Sequence, residues 1–375
     1  MKLYYIANAR MPTEKAHGIQ IAKMCEAFIE VGIDVSLVVP SRATAMQSIQ
    51  EFYALRVSVP TIRLLPVPDL YTWGRLGYRI SSYFFMAASV VFLWRKKIKG
   101  ENFIVYTVDL DNFSSSALPL VSVPLFSEMH GGKPNTFAQR FLFRSVRGII
   151  AINPIIVEEL KKTFPSSPAR YCAESNGVDN AGFAPADKKE ARKRLGLPQE
   201  ERIVLYAGRF FDWKGLEILP HAAVLTPDIQ WYVVGGDKES FTELIRGQLP
   251  DTMHFAGSRP HEEMRLWYAA ADALVVLGTK RDVQSRLYTS PMKLFEYLLS
   301  GRAIVASGTP AIRQIVSEQE VLFYEPDNVK DLADKAAYAI GHGADVAGRV
   351  AAAERKGRGI SWKARAERIK EFMQK

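Results

Sequence analysis

Cysteine is nearly absent, with only Cys25 and Cys172 in 375 residues. Each lies inside an apolar segment, and two thiols are too few for a disulfide framework or a cysteine-rich metal site. A reducing, cytoplasmic setting is expected. Acidic residues are outnumbered, 40 Asp and Glu against 49 Lys and Arg, which leaves a formal net charge of +9. That balance favours anionic partners, whether nucleotide phosphates, anionic lipid or nucleic acid, and does not choose among them. No secretory signal stands at the N-terminus. The run Met1 to Ile6 soon meets Asn8 and Arg10, so it reads as a first buried strand, and the mature chain is expected to begin at Met1. Internal repeats are absent, and the Ala, Arg and Lys-rich segment Asp345 to Arg358 reads as a solvated helix face. With no recognition helix and no aromatic RNA platform, nucleic acid is not an expected partner.

The chain is too long for one comfortable core, and two domains are expected. Short apolar runs of strand length alternate with amphipathic stretches: Leu3 to Ala7, Asp34 to Val39, Phe103 to Thr107, Val121 to Phe126 and Gly148 to Ile152. The rhythm restarts at Arg202 to Ala207, Gln230 to Gly235, Met253 to Ala256, Ala273 to Leu277, Ala303 to Ala306 and Val321 to Tyr324. This is the pattern of an α/β chain with two tandem Rossmann-like doubly wound parallel sheets facing a cleft. The turn-rich stretch Asn176 to Pro185, followed by the charged run Asp187 to Arg194, marks the boundary. The expected division is 1–180, 181–355, and a C-terminal helix 356–375 that packs back on the first domain, with Trp362, Ile369 and Phe372 on one side.

Polar groups recur at strand ends. After Ile203 to Ala207 come Gly208-Arg209 and then Lys214-Gly215, at the edge where open α/β sheets bind ligands. Arg209 offers a fork for phosphate oxygens and Lys214 a point charge; the alternative is two surface cations beside a turn. In Ser290-Pro291-Met292-Lys293-Leu294-Phe295-Glu296-Tyr297, Ser290 is expected to cap a helix whose first turn holds Pro291. Lys293 and Glu296 then share a face, either to hold a pyrophosphate and a ribose diol or as an ordinary i, i+3 ion pair. No G-x-G-x-x-G follows the first strand; the lone Gly18 either lets a phosphate or sugar approach the backbone or is a plain loop glycine. Ser127-Glu128-Met129-His130 puts a carboxylate and an imidazole at another strand end. His130 can hydrogen-bond a sugar hydroxyl, or it is a polar loop histidine.

Taken together, Gly18, Glu128-Met129-His130, Ser175-Asn176-Gly177-Val178-Asp179, Gly208-Arg209 with Lys214-Gly215, the Ser290 to Tyr297 segment and Trp362-Lys363-Ala364-Arg365 resemble the GT-B glycosyltransferases of family 4, in order along nearly the whole chain. The resemblance implies retaining transfer of a hexose-type sugar from a nucleotide-diphosphate sugar. Arg209 and Lys214 would stabilise the leaving diphosphate, as fixed cations aimed at developing charge do. The stretch Ser290, Pro291, Met292, Lys293 and Leu294 would complete the donor site, and Glu296 would hold the ribose. Arg259, in Gly257-Ser258-Arg259-Pro260, would border the base, His130 would touch the donor sugar, and Gly18 would make room for the phosphates. No cofactor and no essential metal are expected. One departure stands out: Tyr288 occupies the place, eight residues before Glu296, where many members carry a glutamate that contacts the donor sugar. Lys280 to Thr289, with Arg281, Asp282 and Arg286, would then read the sugar.

Ile80 to Trp94 is apolar over fifteen residues and is followed by Arg95-Lys96-Lys97-Ile98-Lys99, short of the roughly 20 residues that span a bilayer. It reads as a core helix or as an interfacial helix suited to a lipid-linked acceptor, with Arg75, Arg79, Tyr71, Trp73 and Tyr78 leaning the same way. The leading expectation is a cytoplasmic enzyme of surface polysaccharide synthesis, peripheral at the inner face of the membrane, with a glycan or lipid-linked acceptor in its N-terminal half. Two rivals are a nucleotide-sugar 2-epimerase, for which acid/base groups beyond Glu128 and His130 are wanting, and a non-catalytic nucleotide-sugar-binding subunit.

Overall fold

A computed structural model describes residues 1–42, 48–64, 70, 73–180 and 186–375. Tyr71 and the last part of the Asn176 to Pro185 stretch lie outside the described residues. The chain forms two units: unit 1 is Met1–Asn176 with Trp362–Lys375, and unit 2 is Gly177–Ser361.

Unit 1 holds seven strands: β1 (Lys2–Ile6), β2 (Asp34–Pro40), β3 (Thr61–Leu64), β4 (Ile104–Val108), β5 (Leu125–Met129), β6 (Gly148–Ala151) and β7 (Arg170–Ala173). All pair in parallel, in the order β3-β2-β1-β4-β5-β6-β7. Unit 2 repeats the scheme with β8 (Arg202–Ala207), β9 (Ile229–Val234), β10 (Met253–Gly257), β11 (Ala273–Val276), β12 (Ala303–Ser307) and β13 (Leu322–Tyr324), in the order β10-β9-β8-β11-β12-β13. The Val, Ile and Leu runs of the central strands are buried on both faces, as crossover helices on each side of a parallel sheet require. The two doubly wound parallel sheets are as the sequence implied. In each sheet the strand order reverses beside the first strand, and the carboxyl ends at that reversal are where such folds take ligands.

Several local expectations change. The strand expected at Val121 to Phe126 begins only at Leu125, because Leu118–Val121 is a 3-10 turn with Pro119 in its first positions. Glu128 therefore lies within β5, fully buried, instead of in a loop. The edge strands β3 and β7 were missed, since Thr61–Leu64 and Arg170–Ala173 are four residues each and only partly buried. The charged run after the boundary forms a helix, Lys188–Leu195, capped by Asp187, and its Arg192 is buried against Asp272 at 2.9 Å.

The helix Gly74–Ile98 is longer than the fifteen apolar residues suggested, and by length and composition it is long enough to cross a membrane. Its buried side is made of Gly77, Ser81, Ser82, Phe85, Ser89 and Leu93. Its other side exposes Leu76, Phe84, Val91, Trp94 and Ile98. The small inward residues let the helix lie close on unit 1, where Ser82 joins a polar cluster through Asn8 Nδ2 at 3.0 Å.

Candidate functional site

In unit 2 the site is built from β8 outward. Gly208 follows β8 and donates to Val234 O at 2.8 Å. A Cβ at Gly235, whose φ is +130°, would lie 2.4 Å from Gly208 O, so only glycine lets the ends of β8 and β9 come this close. Lys214 ends the short helix Asp212–Lys214 and turns back to donate from Nζ to Arg209 O at 2.9 Å. Its ammonium lies 5.0 Å from the centre of the Phe211 ring and 5.6 Å from that of Trp213. Burial, then the positive charges of Lys293 and Arg209, push the Lys214 ammonium down to about 8.

Lys293 and Glu296 arrive on the helix Met292–Leu298. Leu294, Phe295, Tyr297 and Leu298 sink into the core with Leu205, Leu274 and Ile304. Tyr297 Oη also accepts from Ala207 N at 3.1 Å, which fastens this helix to the end of β8. The opposite face carries the ion pair Lys293 Nζ to Glu296 Oε2 at 3.0 Å, and Tyr268 Oη donates to the same oxygen at 2.6 Å. His261 Nε2 stands 4.0 Å from Glu296 Oε1.

The structure thus brings Arg209, Lys214, Lys293 and Glu296 together at the carboxyl edge of one sheet. Other expected residues fare differently. Ser290 does not stand at the cap; Pro291 is the N-cap, and it makes no side-chain cap hydrogen bond. Leu294 is wholly in the core, so only its backbone remains for a ligand. Arg259 is exposed, donates to Ala256 O at 2.8 Å and lies 5.9 Å from the centre of the Trp267 ring. In the stretch Lys280 to Thr289, Arg281 pairs with Glu217 and with Asp327 at 3.4 Å, and Asp282 accepts from Ser285 N at 3.0 Å. Both therefore have local structural work.

Unit 1 presents a second polar cluster. His130 follows β5 and donates from Nε2 to Glu128 Oε1 at 2.9 Å. Glu128 also receives Gln20 Nε2 at 2.7 Å, the Tyr106 hydroxyl, and the Arg365 guanidinium at 2.9 Å. Burial alone would raise this carboxyl; Arg365, with the hydrogen bonds from His130 and Tyr106, outweighs burial and holds it down at about 2. Gly18 sits in the first turn of the helix Ala16–Glu30, where a Cβ would come within 2.3 Å of Tyr53 Oη and 2.6 Å of Thr13 Cγ2. Packing by these neighbours already accounts for a glycine there.

Sequence reasoning missed Asp109-Leu110-Asp111, an acidic pair just beyond β4. Lys133 Nζ pairs with Asp109, and Asp111 accepts from Asn8 Nδ2 at 2.5 Å and from Phe113 N at 2.6 Å. Two carboxylates at a strand end were the available signal. Among the described residues, no group of three or more His, Cys, Asp or Glu gathers as a metal site.

Residues 201–342, most of unit 2, match the family described as Glycosyl transferases group 1. The D-inositol 3-phosphate glycosyltransferase of Mycolicibacterium vanbaalenii is 39% identical over 83 residues, 22% of this chain and 18% of that one. D-inositol 3-phosphate glycosyltransferase 1 of Catenulispora acidiphila is 29% identical over 175 residues, 42% of this chain and 40% of that one. The matched stretches thus span less than half of these relatives. Among solved structures, sucrose-phosphate synthase from Thermosynechococcus elongatus superposes with a TM-score of 0.77 at 19% identity, covering 100% of this chain and 98% of that one. Anabaena HepE in complex with UDP and glucose gives a TM-score of 0.70 at 16% identity, covering 100% and 99%. The fold is of the GT-B type, and the group 1 match lies within unit 2.

Proposed function

We propose that the protein is a retaining glycosyltransferase of family 4 that moves a hexose-type sugar from a nucleotide-diphosphate sugar to a glycan or lipid-linked acceptor in surface polysaccharide synthesis. The observation that carries this reading is the meeting of Arg209, Lys214 and Lys293 at the carboxyl edge of unit 2. The charges that depress Lys214 are both positive, and like charges held together are stabilised by an anion placed among them. A departing diphosphate is such an anion, and cations fixed beforehand lower the barrier to its departure. Glu296, one helical turn beyond Lys293, is the ribose ligand in this reading, Arg259 borders the base, and His130 meets the reacting sugar. The group 1 match over residues 201–342 supports the same assignment, as does a structural neighbour that holds UDP and glucose.

Unit 1 is read as the acceptor side. The exposed stripe of the helix Gly74–Ile98, with Arg95, Lys96 and Lys97 in its last turn, suits contact with the anionic inner face of a membrane and a lipid-linked acceptor. A thermal-shift series with UDP, GDP, ADP and their sugars tests the donor reading. One nucleoside diphosphate is expected to raise the melting temperature, because a ligand that binds only the folded state stabilises it. No shift with any of them at millimolar concentration refutes the reading.

A further inference from the structure

We infer that Arg365 is a positioning residue for His130, acting through the Glu128 carboxylate. The inference rests on the reading of His130 as the group that meets the reacting sugar, and it draws the last helix of the chain into the reaction.

Glu128 is fully buried in β5 and receives donors from four side chains. Arg365 Nη2 lies 2.9 Å from Oε1 and Nη1 lies 3.2 Å from Oε2, a forked pair. Gln20 and His130 share Oε1, and Tyr106 shares Oε2. Two carboxylate oxygens offer roughly four lone-pair sites, so these donors fix the orientation of the group. Arg365 is itself held: Nε donates to Ser175 O at 2.9 Å, and Nη1 lies 2.8 Å from Met24 Sδ.

Anchoring the helix Trp362–Gln374 does not require this guanidinium. Trp362, Ala366, Ile369 and Met373 are already buried, Arg368 pairs with Glu174 at 2.9 Å, and Lys370 Nζ donates to Val31 O at 2.5 Å. A buried ion pair is also weak support for stability when an apolar pair of similar volume can replace it. What a hydrophobic residue cannot do is keep Glu128 ionised beneath the imidazole. An ionised Glu128 requires His130 Nε2 to carry the proton, which leaves Nδ1 as the ring nitrogen for a ligand. The orienting logic is that of a catalytic base steered by a third group. The other charged groups around His130 are Asp109 and Lys133, which pair with each other.

Arg365→Ala alone would strand a buried carboxylate, so the test uses Arg365→Lys and the neutral double variant Glu128→Gln/Arg365→Met. Melting temperature and nucleoside diphosphate affinity report folding and unit 2. Nitrogen-15 NMR of histidine-labelled protein, with His130→Asn to assign the signal, reports the tautomer of His130. Steady-state turnover reports kcat and KM. In the double variant the Nε2–H tautomer is expected to lose its dominance, because the charged acceptor that holds that proton is gone. Its kcat is expected to fall at least about tenfold with diphosphate affinity unchanged. Arg365→Lys is expected to lie between this variant and wild type. An unchanged tautomer in the folded double variant overturns the inference, as does wild-type kcat per folded molecule. If wild type turns over no sugar nucleotide, the reading of His130 fails, and the NMR comparison still decides whether Arg365 orients its ring.

Discussion

The midpoint of Lys214 near 8 makes diphosphate binding pH-dependent in a window where few other groups titrate. A half-buried ammonium beside two cations loses its proton early, and a diphosphate placed among those charges would favour the protonated form. The sign follows: the charged form dominates well below pH 8 and is lost as pH rises through it, so affinity must fall across that interval. With a midpoint of about 8, Lys214 is about 90% charged at pH 7 and about 10% at pH 9. Affinity for the diphosphate should therefore drop about tenfold, about 1.4 kcal/mol, between those values. The last ionisation of a phosphate, near about 6, lies below the window. Isothermal calorimetry at pH 8 in buffers of different ionisation enthalpy should show about half a proton taken up per ligand bound. Lys214→Arg, charged throughout, should flatten both effects. Equal affinity at pH 7 and pH 9 in wild type refutes the reasoning, as does a slope that survives in Lys214→Arg.

Other outcomes follow from the same geometry. Glu296→Gln is expected to weaken nucleotide binding by about 1.5–3 kcal/mol, the value of a hydrogen bond to a charged group, with little change for inorganic pyrophosphate; equal losses for both ligands place Glu296 elsewhere. Turnover is expected to survive EDTA, because Arg209, Lys214 and Lys293 supply the positive charge, and complete inhibition reversed by a divalent metal contradicts this. The protein is expected to sediment with anionic vesicles and not with neutral ones. Arg95→Ser/Lys99→Ser should weaken that binding by about 1 kcal/mol per charge, and Trp94→Asp should weaken it further. Failure of wild type to bind anionic vesicles removes the helix Gly74–Ile98 from the membrane.

The fold was legible because parallel strands buried on both faces are continuous apolar runs, which Ile203 to Ala207 and Ala273 to Val276 display in full. The pairing of Lys293 with Glu296 was legible because helical spacing fixes it locally. Tyr268 was not, since nothing in the apolar segment around it marks a hydroxyl aimed at Glu296 across 28 positions. Glu128 shows the limit most clearly. Its sequence neighbour His130 suggested a strand-end site, whereas its strongest partner, Arg365, stands 237 positions away on a helix that the chain reaches only after completing unit 2. Ser290 failed as a cap because Pro291, with its fixed backbone angle, took the N-cap position itself.

The central claim is that a sugar leaves its nucleotide and arrives on an acceptor with its anomeric configuration kept. Proton NMR of the purified protein incubated with the stabilising sugar nucleotide and an acceptor series that includes lipid-linked glycans observes this directly. Release of nucleoside diphosphate, together with a new glycosidic anomeric signal whose coupling matches the donor's, is the expected result. A free 2-epimer, an inverted anomeric coupling, or an unchanged donor in the presence of well-folded protein contradicts it.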